Sequence, residues 1–282
     1  MVTRYRAELV ARLLHVSDLH FGTPSVPEQV EALEALISKE SFDAIVVSGD
    51  LSQRSRTHEF TRARAFLSFA RQHAPVLVVP GNHDVAWWTA PVGLGSRSAM
   101  YTRYRRFVSE DLEPTLQLPG ITIVGLNSSH GIQPYTLTTR PRDLSVVGAL
   151  RPTQWSKARN AFAAAPSGDL KVLVFHHNLL RGKLSHRWGL ASRALGLEQA
   201  ARTGTELVLC GHDHEDRIEQ VAVAGRRFVV STANTLSNRV RGGRASSLNV
   251  IETTAREVQV APWAWVGEVR RFVPQEAACF PR

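Results

Sequence analysis

The first half of the chain repeats one unit, and this constrains the fold more than any other feature: a short apolar run, a tight polar cluster, then a helical pattern. Residues 11–16 read as a buried strand, 28–39 as a helix, 42–48 as a strand, 58–73 as a helix and 76–79 as a third strand. This alternation requires right-handed crossovers and places the strands side by side in parallel. The three strands end in Ser17-Asp18-Leu19-His20, Gly49-Asp50 and Gly81-Asn82-His83-Asp84. Parallel strands present their carboxyl ends at one edge of a sheet, and ligands bind beyond that edge. The pattern therefore predicts that the three clusters converge.

The second half supplies further strands at 121–126, 170–175 and 206–210, and a helix at 153–164 that starts beside Pro152. Residues 217–223, 226–231, 247–252 and 258–264 read as consecutive strands joined by short turns, with Ala224-Gly225 marking one hairpin. Two mixed sheets packed face to face and flanked by helices fit this order. Residues 87–119 are less regular. Their centre, 100–112, is helical in pattern and carries Arg103, Arg105 and Arg106, so a small helical cap insertion is expected there. With 282 residues, 43% of them hydrophobic, the expectation is one large α/β domain spanning 1–282.

Lys and Arg number 34 against 25 Asp and Glu, a net charge of +9, which favours anionic partners. The two cysteines, Cys210 at the end of an apolar run and Cys279 in the tail, argue against a disulfide framework. The first ten residues hold Arg4, Arg6 and Glu8 and no apolar core of a secretory signal, and no run reaches the ~18 apolar residues of a membrane span. A soluble cytoplasmic protein is the expectation.

The clusters carry a mixed oxygen and imidazole donor set: Asp18, His20, Asp50, Asn82, His176, His212 and His214. The set holds no thiolate, which suits manganese, iron, zinc or nickel and disfavours a cysteine-built structural zinc clip. A carboxylate can bridge two ions, and Asp50 lies between the two halves of the set. Paired ions can clamp a phosphate for in-line displacement.

In order, Asp18-Leu19-His20, Gly49-Asp50, Gly81-Asn82-His83-Asp84, His176 and Gly211-His212-Asp213-His214 resemble the blocks of the calcineurin-like metallophosphoesterase superfamily. The opening Gly49-Asp50-Leu51-Ser52 is closest in style to its bacterial cyclic-nucleotide phosphodiesterase branch. The resemblance implies a four-layer αββα sandwich. It implies two divalent or trivalent ions, one on Asp18, His20, Asp50 and His214, the other on Asp50, Asn82, His176 and His212. It further implies attack on phosphorus by a hydroxide held between the ions, with His83 bonding a phosphate oxygen or protonating the leaving group. The sequence departs from many relatives at Gln53, where they carry an aspartate that holds the catalytic histidine, and at Asn178, where they carry proline.

Arg54 resembles an arginine that contacts phosphate in the protein-phosphatase branch, and His130 follows a strand at a place from which it could reach the pocket. Both are expected substrate contacts. Arg103, Arg105, Arg106, Arg181, Lys183 and Arg187 form either a basic mouth or scattered surface charge. His177 reads as a neighbour of the ligands rather than a ligand, His15 as a core residue, and Trp87 and Trp88 as packing residues that could also stack on a base. The leading expectation is a phosphodiesterase acting on a small or nucleotide-type diester. A UDP-2,3-diacylglucosamine pyrophosphatase of lipid A synthesis, a DNA or RNA nuclease and a non-catalytic binding scaffold stand as alternatives.

Overall fold

The computed structural model describes residues 9–89, 96, 98–133, 136, 146–186 and 189–282. Strands β1 (Leu9–Val16), β2 (Ala44–Val47) and β3 (Val76–Val78) alternate with helices α1 (Pro27–Lys39) and α2 (Thr57–Ala70), and the three strands are parallel neighbours. Pro27 opens α1, where the missing N–H costs nothing, and Leu33, Leu36 and Ile37 form its buried stripe. The Glu59 carboxylate of α2 accepts from the backbone N–H groups of Arg54 (2.8 Å) and Arg56 (3.1 Å), which fixes the turn into that helix.

The later elements are α3 (Thr102–Phe107), β4 (Thr115–Leu118), β5 (Ile121–Gly125), α4 (Pro152–Ala164), β6 (Leu170–Val174), α5 (Arg193–Arg202) and β7 (Leu207–Cys210). They are followed by β8 (Arg217–Val223), β9 (Arg226–Thr232), β10 (Ser247–Thr254), β11 (Glu257–Val266), β12 (Arg271–Pro274) and β13 (Ala278–Pro281). One sheet runs β12-β11-β10-β1-β2-β3, with β13 also paired to β11, and the other runs β4-β5-β6-β7-β9-β8. Both are mixed.

Strand alternation assigns the layers. Leu14 and Val16 of β1, with Ile45 and Val47 of β2, pack against Leu33 and Ile37 of α1 and Phe60 and Leu67 of α2. Their neighbours Leu13, Ala44 and Val46 face Ile123, Val172 and Leu209 of the second sheet. On that sheet's far side, Val124, Leu173, Val208 and Val230 meet Trp155 and Phe162 of α4 and Ala200 and Ala201 of α5. Successive side chains point to opposite faces, so strands covered on both sides read as unbroken apolar runs. The result is the expected αββα sandwich.

The late strands are not one consecutive set. β8 and β9 form a hairpin in the second sheet, with Ala224 and Gly225 both at positive φ in its turn, whereas β10 and β11 belong to the first sheet. The connection 233–246 therefore crosses between sheets. Of the expected cap at 87–119, residues 90–95 and 97 lie outside the described residues. Its described part contains the short α3, whose Tyr104 is fully buried against Phe60, and its last residues form edge strand β4. Helix α5 follows the basic segment 181–193 and was not expected. Both cysteines are free, Cys210 buried and Cys279 exposed. No helix among the described residues is long and apolar enough to cross a membrane.

Candidate metal centre

The parallel strands of both sheets deliver their carboxyl ends to one edge. Asp18 and His20 follow β1, Asp50 follows β2, Asn82 and His83 follow β3, His176 follows β6, and His212 and His214 follow β7. Backbone bonds lash the loops together: Asp18 N–H donates to Gly49 (3.0 Å), His20 N–H to Asp50 (2.9 Å) and Gly211 N–H to His176 (2.9 Å). Asp18, His20, Asp50, His212 and His214 all hold positive φ, a region costly for residues with a Cβ. The strain is concentrated on the donor set.

Two glycines permit the close approach. A Cβ on Gly81 would lie 2.1 Å from Asp50 Oδ1. One on Gly211 would lie 1.9 Å from Ser17 Oγ and 2.4 Å from Asp18 Oδ2.

Donor atoms of Asp18, His20, Asp50 and His214, all buried, lie within 4.8 Å of one another. The Nε2 atoms of His20 and His214 are 3.0 Å apart, and His214 Nε2 is 3.0 Å from Asp18 Oδ1. Beside them, Asn82 Oδ1 lies 3.1 Å from His176 Nε2 and 3.0 Å from His212 Nδ1, and His176 Nε2 lies 3.3 Å from Asp50 Oδ2. Asp50 touches both groups, since its Oδ2 is also 3.8 Å from His20 Nε2.

The surrounding bonds show which atoms are free to coordinate. His176 Nδ1 bonds the Ser48 carbonyl (2.8 Å) and His214 Nδ1 the Arg239 carbonyl (3.0 Å). Each carbonyl accepts from the Nδ1–H and leaves Nε2 aimed inward, the usual way a protein orients a metal-binding histidine. Asp18 Oδ2 accepts from Ser17 Oγ (2.6 Å) and His212 N–H (2.9 Å), while among the described residues the buried Oδ1 has no hydrogen-bond partner. Nitrogen and oxygen donors that converge in a buried space can all be satisfied by one cation among them. The donor set therefore fits metal, with mixed nitrogen and oxygen ligands as manganese, iron or zinc accept.

The electrostatics agree. Burial would raise the Asp18 carboxyl, but His214, His20 and His176 hold it well below the usual range. Burial opposes ionisation of Asp50 too, and His176 and His83 overcome it. Burial lowers His20 to about 4 and takes His212 well below its ordinary value, so both rings are free of a competing proton at neutral pH. At His176 burial is outweighed by Asp50, and the ring is raised to about 9.

Asp84 is a clamp rather than a donor to the set. Its carboxylate accepts from the N–H groups of Leu51 (3.2 Å), Ser52 (2.7 Å) and Gly81 (3.0 Å) and from Ser52 Oγ (2.9 Å), joining the loops after β2 and β3. His177 is buried behind His212, its Nδ1 2.8 Å from Ser128 Oγ, and His15 is buried with its Nε2 2.9 Å from Ser48 Oγ.

A cavity of about 560 Å³ opens beside the set, lined by Gln53, Arg54, Arg56, His83, Trp87, Trp88 and Arg103 among others. Arg54 and His83 thus share one pocket. His130 does not line it. It sits on a separate cavity with Glu113, Arg151 and Lys157, its ring nitrogens facing Tyr101 Oη (3.3 Å) and Gln154 Oε1 (3.4 Å). Of the expected basic mouth, Arg103 reaches the first pocket. Arg105 lines the separate cavity, Arg181 bonds the His186 carbonyl, and Arg187 lies outside the described residues.

Gln53 holds His83 through its main chain. Its backbone carbonyl, not its side chain, receives His83 Nδ1 at 2.6 Å. The side chain faces Arg239, whose Nη1 lies 3.3 Å from Gln53 Oε1 and 3.3 Å from His83 Nε2. Sequence reasoning missed Arg239. The length of the connection between expected strands 226–231 and 247–252 was the available signal, because long connections in compact domains are commonly functional.

Comparison with known proteins places this geometry among relatives. Residues 11–216 match the family model described as calcineurin-like phosphoesterase. A glycerophosphodiester phosphodiesterase, GpdQ of Enterobacter lignolyticus (strain SCF1), is 36% identical over 87 residues, which cover 26% of this chain and 29% of that protein. Among solved structures, the purple acid phosphatase PPD1 from yellow lupin (Lupinus luteus) seeds superposes with a TM-score of 0.65 at 9% identity, over 98% of this chain and 54% of that one. PhoD gives 0.66 at 13% identity, over 96% and 68%. The chain thus spans about half the length of the lupin enzyme, and these structural likenesses concern the fold. The family match extends from β1 to just beyond His214, the whole span that carries the converging donor set, and the chain belongs to the calcineurin-like phosphoesterase family.

Proposed function

We propose that this protein is a metal-dependent phosphodiesterase with a dinuclear centre bridged by Asp50. The observation that carries the reading is the contact of the Asp50 carboxylate with both donor groups, the His20 side at 3.8 Å and the His176 side at 3.3 Å. Asp18, His20 and His214 would complete one half, and Asn82, His176 and His212 the other. Two ions held there would supply a water of lowered pKa and neutralise charge on the phosphoryl group. The chain's own groups do the rest. The Ser48 and Arg239 carbonyls hold His176 and His214 in register, and Asp84 fixes the loops that carry Asp50 and Asn82. His83 lines the pocket, with its Nε2 3.3 Å from Arg239 Nη1, and there it can bond a phosphoryl oxygen or the leaving oxygen.

A diester suits the surroundings because it carries a second arm on phosphorus, and the cavity beside His83 has room for one. Its lining of Arg54, Arg56 and Arg103 with Trp87 and Trp88 fits a polar or flat aromatic arm, as a nucleotide-type substrate would offer. The GpdQ likeness supports diester chemistry. The same three arginines make the pocket a poor receptacle for acyl chains, which disfavours the lipid A precursor hydrolase. Placement in the cytoplasm belongs to this reading as well.

The test compares hydrolysis of bis-p-nitrophenyl phosphate and p-nitrophenyl phosphate with added manganese, for wild type and Asn82→Ala. The expected result is preferential diester turnover that collapses in the variant. Absence of turnover on either substrate, in protein shown to hold two ions, would contradict the reading.

A further inference from the structure

Arg239 lies in the connection 233–246, and that connection is fastened to the donor set. Thr235 Oγ1 donates to the Asp18 carbonyl (2.7 Å), Leu236 N–H donates to the same oxygen (3.3 Å), and the Arg239 carbonyl receives His214 Nδ1 (3.0 Å). The backbone of Arg239 is thereby set directly against the centre. Its half-buried side chain turns back to Gln53 Oε1 and His83 Nε2, both at 3.3 Å from Nη1.

These contacts are long for hydrogen bonds and engage one nitrogen of a group with five N–H donors. Among the described residues, neither Nε nor Nη2 of Arg239 has a partner, and no carboxylate forms an ion pair with it. Its loop neighbours are engaged elsewhere: Arg241 Nε donates to the Asp213 carbonyl (2.6 Å), and Arg244 pairs with Asp216 at 3.2 Å. A cation that is half-buried, paired with no carboxylate among the described residues and beside His83 is matched to an anionic oxygen, because a guanidinium fork binds phosphate oxygens through parallel N–H groups. Gln53 contributes through its neutrality. A carboxylate at that position would pair with Arg239 and cancel its charge, whereas the amide oxygen aims the guanidinium and leaves the charge available.

We propose that Arg239 binds a non-bridging phosphoryl oxygen of the substrate alongside His83, with Gln53 as its positioning residue. The inference rests on the phosphoesterase reading of the site and assigns that site its anion-holding cation.

The test is binding of inorganic phosphate to metal-loaded protein by titration calorimetry, with metal content measured on the same samples. Phosphate binding does not require turnover. Arg239→Ala is expected to weaken phosphate by roughly 10-fold or more at unchanged metal content, and Arg239→Lys by less, as loss of a charge-assisted bond implies. Gln53→Glu is expected to weaken phosphate by pairing with Arg239. Equal phosphate affinity in wild type and Arg239→Ala at equal metal content would overturn the proposal. Should Arg239→Ala lose metal, Gln53→Glu decides, since it leaves the loop and its carbonyl in place: undiminished phosphate affinity in that variant would overturn the proposal. Weakened phosphate binding in a protein that cleaves no ester would uphold the role of Arg239 while removing the diesterase reading.

Discussion

His20 and His214 approach each other with their Nε2 atoms 3.0 Å apart, across the gap between the two sheets. His214 Nδ1 is tied to a backbone carbonyl, so Nε2 is its inward nitrogen, and Asp18 Oδ1 stands 3.0 Å away. With Asp50 these atoms form a buried set of nitrogen and oxygen donors within 4.8 Å of one another, which one cation can satisfy. Added manganese or zinc should therefore stabilise the fold. At metal concentrations about 100-fold above Kd the gain is about 2.7 kcal/mol, a rise in Tm of about 5 °C or more for a chain of this size. Thermal unfolding with and without chelator measures it, and an unchanged Tm would count against the site.

Metal uptake should depend on pH in a defined direction. Below about 9 the metal-free protein holds a proton on His176, because Asp50 outweighs the cost of burial, and coordination must displace that proton. His20, lowered to about 4, demands no such release at neutral pH. Apparent affinity should rise with pH by up to about tenfold per unit and level off above about 9. Calorimetry in buffers of different ionisation heat should show about one proton released per His176 occupied at pH 7. Uptake without proton release would show that His176 is not displaced.

Gly81 and Gly211 should tolerate no side chain. Alanine at 81 would drive its methyl into Asp50 Oδ1 at 2.1 Å, and alanine at 211 would strike Asp18 Oδ2 at 2.4 Å. Each variant is expected to lose metal and about 1–3 kcal/mol of stability, as overpacked sites do. Denaturant unfolding together with metal analysis tests both, and a variant that keeps its metal would show that the loops yield.

Much of this was legible in the chain itself. Strands β1, β2 and β3 are covered on both faces, so they read as apolar runs, and the Gly-Asp and Gly-Asn clusters punctuate their ends. The donor set was readable for the same reason, since it sits at those ends. The less visible parts depend on long-range pairing. β4 alternates Thr115 and Gln117 with half-buried Leu116 and Leu118 at a sheet edge, a weak signal next to the irregular stretch before it. The place of Arg239 follows from the crossing of 233–246 between sheets, which no local period encodes and only the length of that connection hints at. The place of His130 on the separate cavity was not legible for a related reason: a residue just past a strand end has no fixed direction until the following segment packs, here against Gln154 of α4.

Trp88 is 48% exposed and stands on the cavity wall with Trp87. If the substrate arm is a flat base, Trp88→Ala should raise KM for nucleotide-type diesters by roughly tenfold, the scale of one lost base–aromatic stack. Small alkyl diesters should be unaffected. Equal effects on both classes would place the arm elsewhere.

The measurement that bears most directly on the account is metal stoichiometry by mass spectrometry, taken alongside bis-p-nitrophenyl phosphate turnover in the same samples of wild type, Asn82→Ala and Asp50→Asn. The account predicts two ions per wild-type chain. It predicts one in Asn82→Ala with turnover reduced by roughly 100-fold or more, and loss of both ions and of turnover in Asp50→Asn, because that carboxylate serves both halves. Full diester turnover by protein that holds one ion or none, or an Asp50→Asn variant that keeps both, would contradict it.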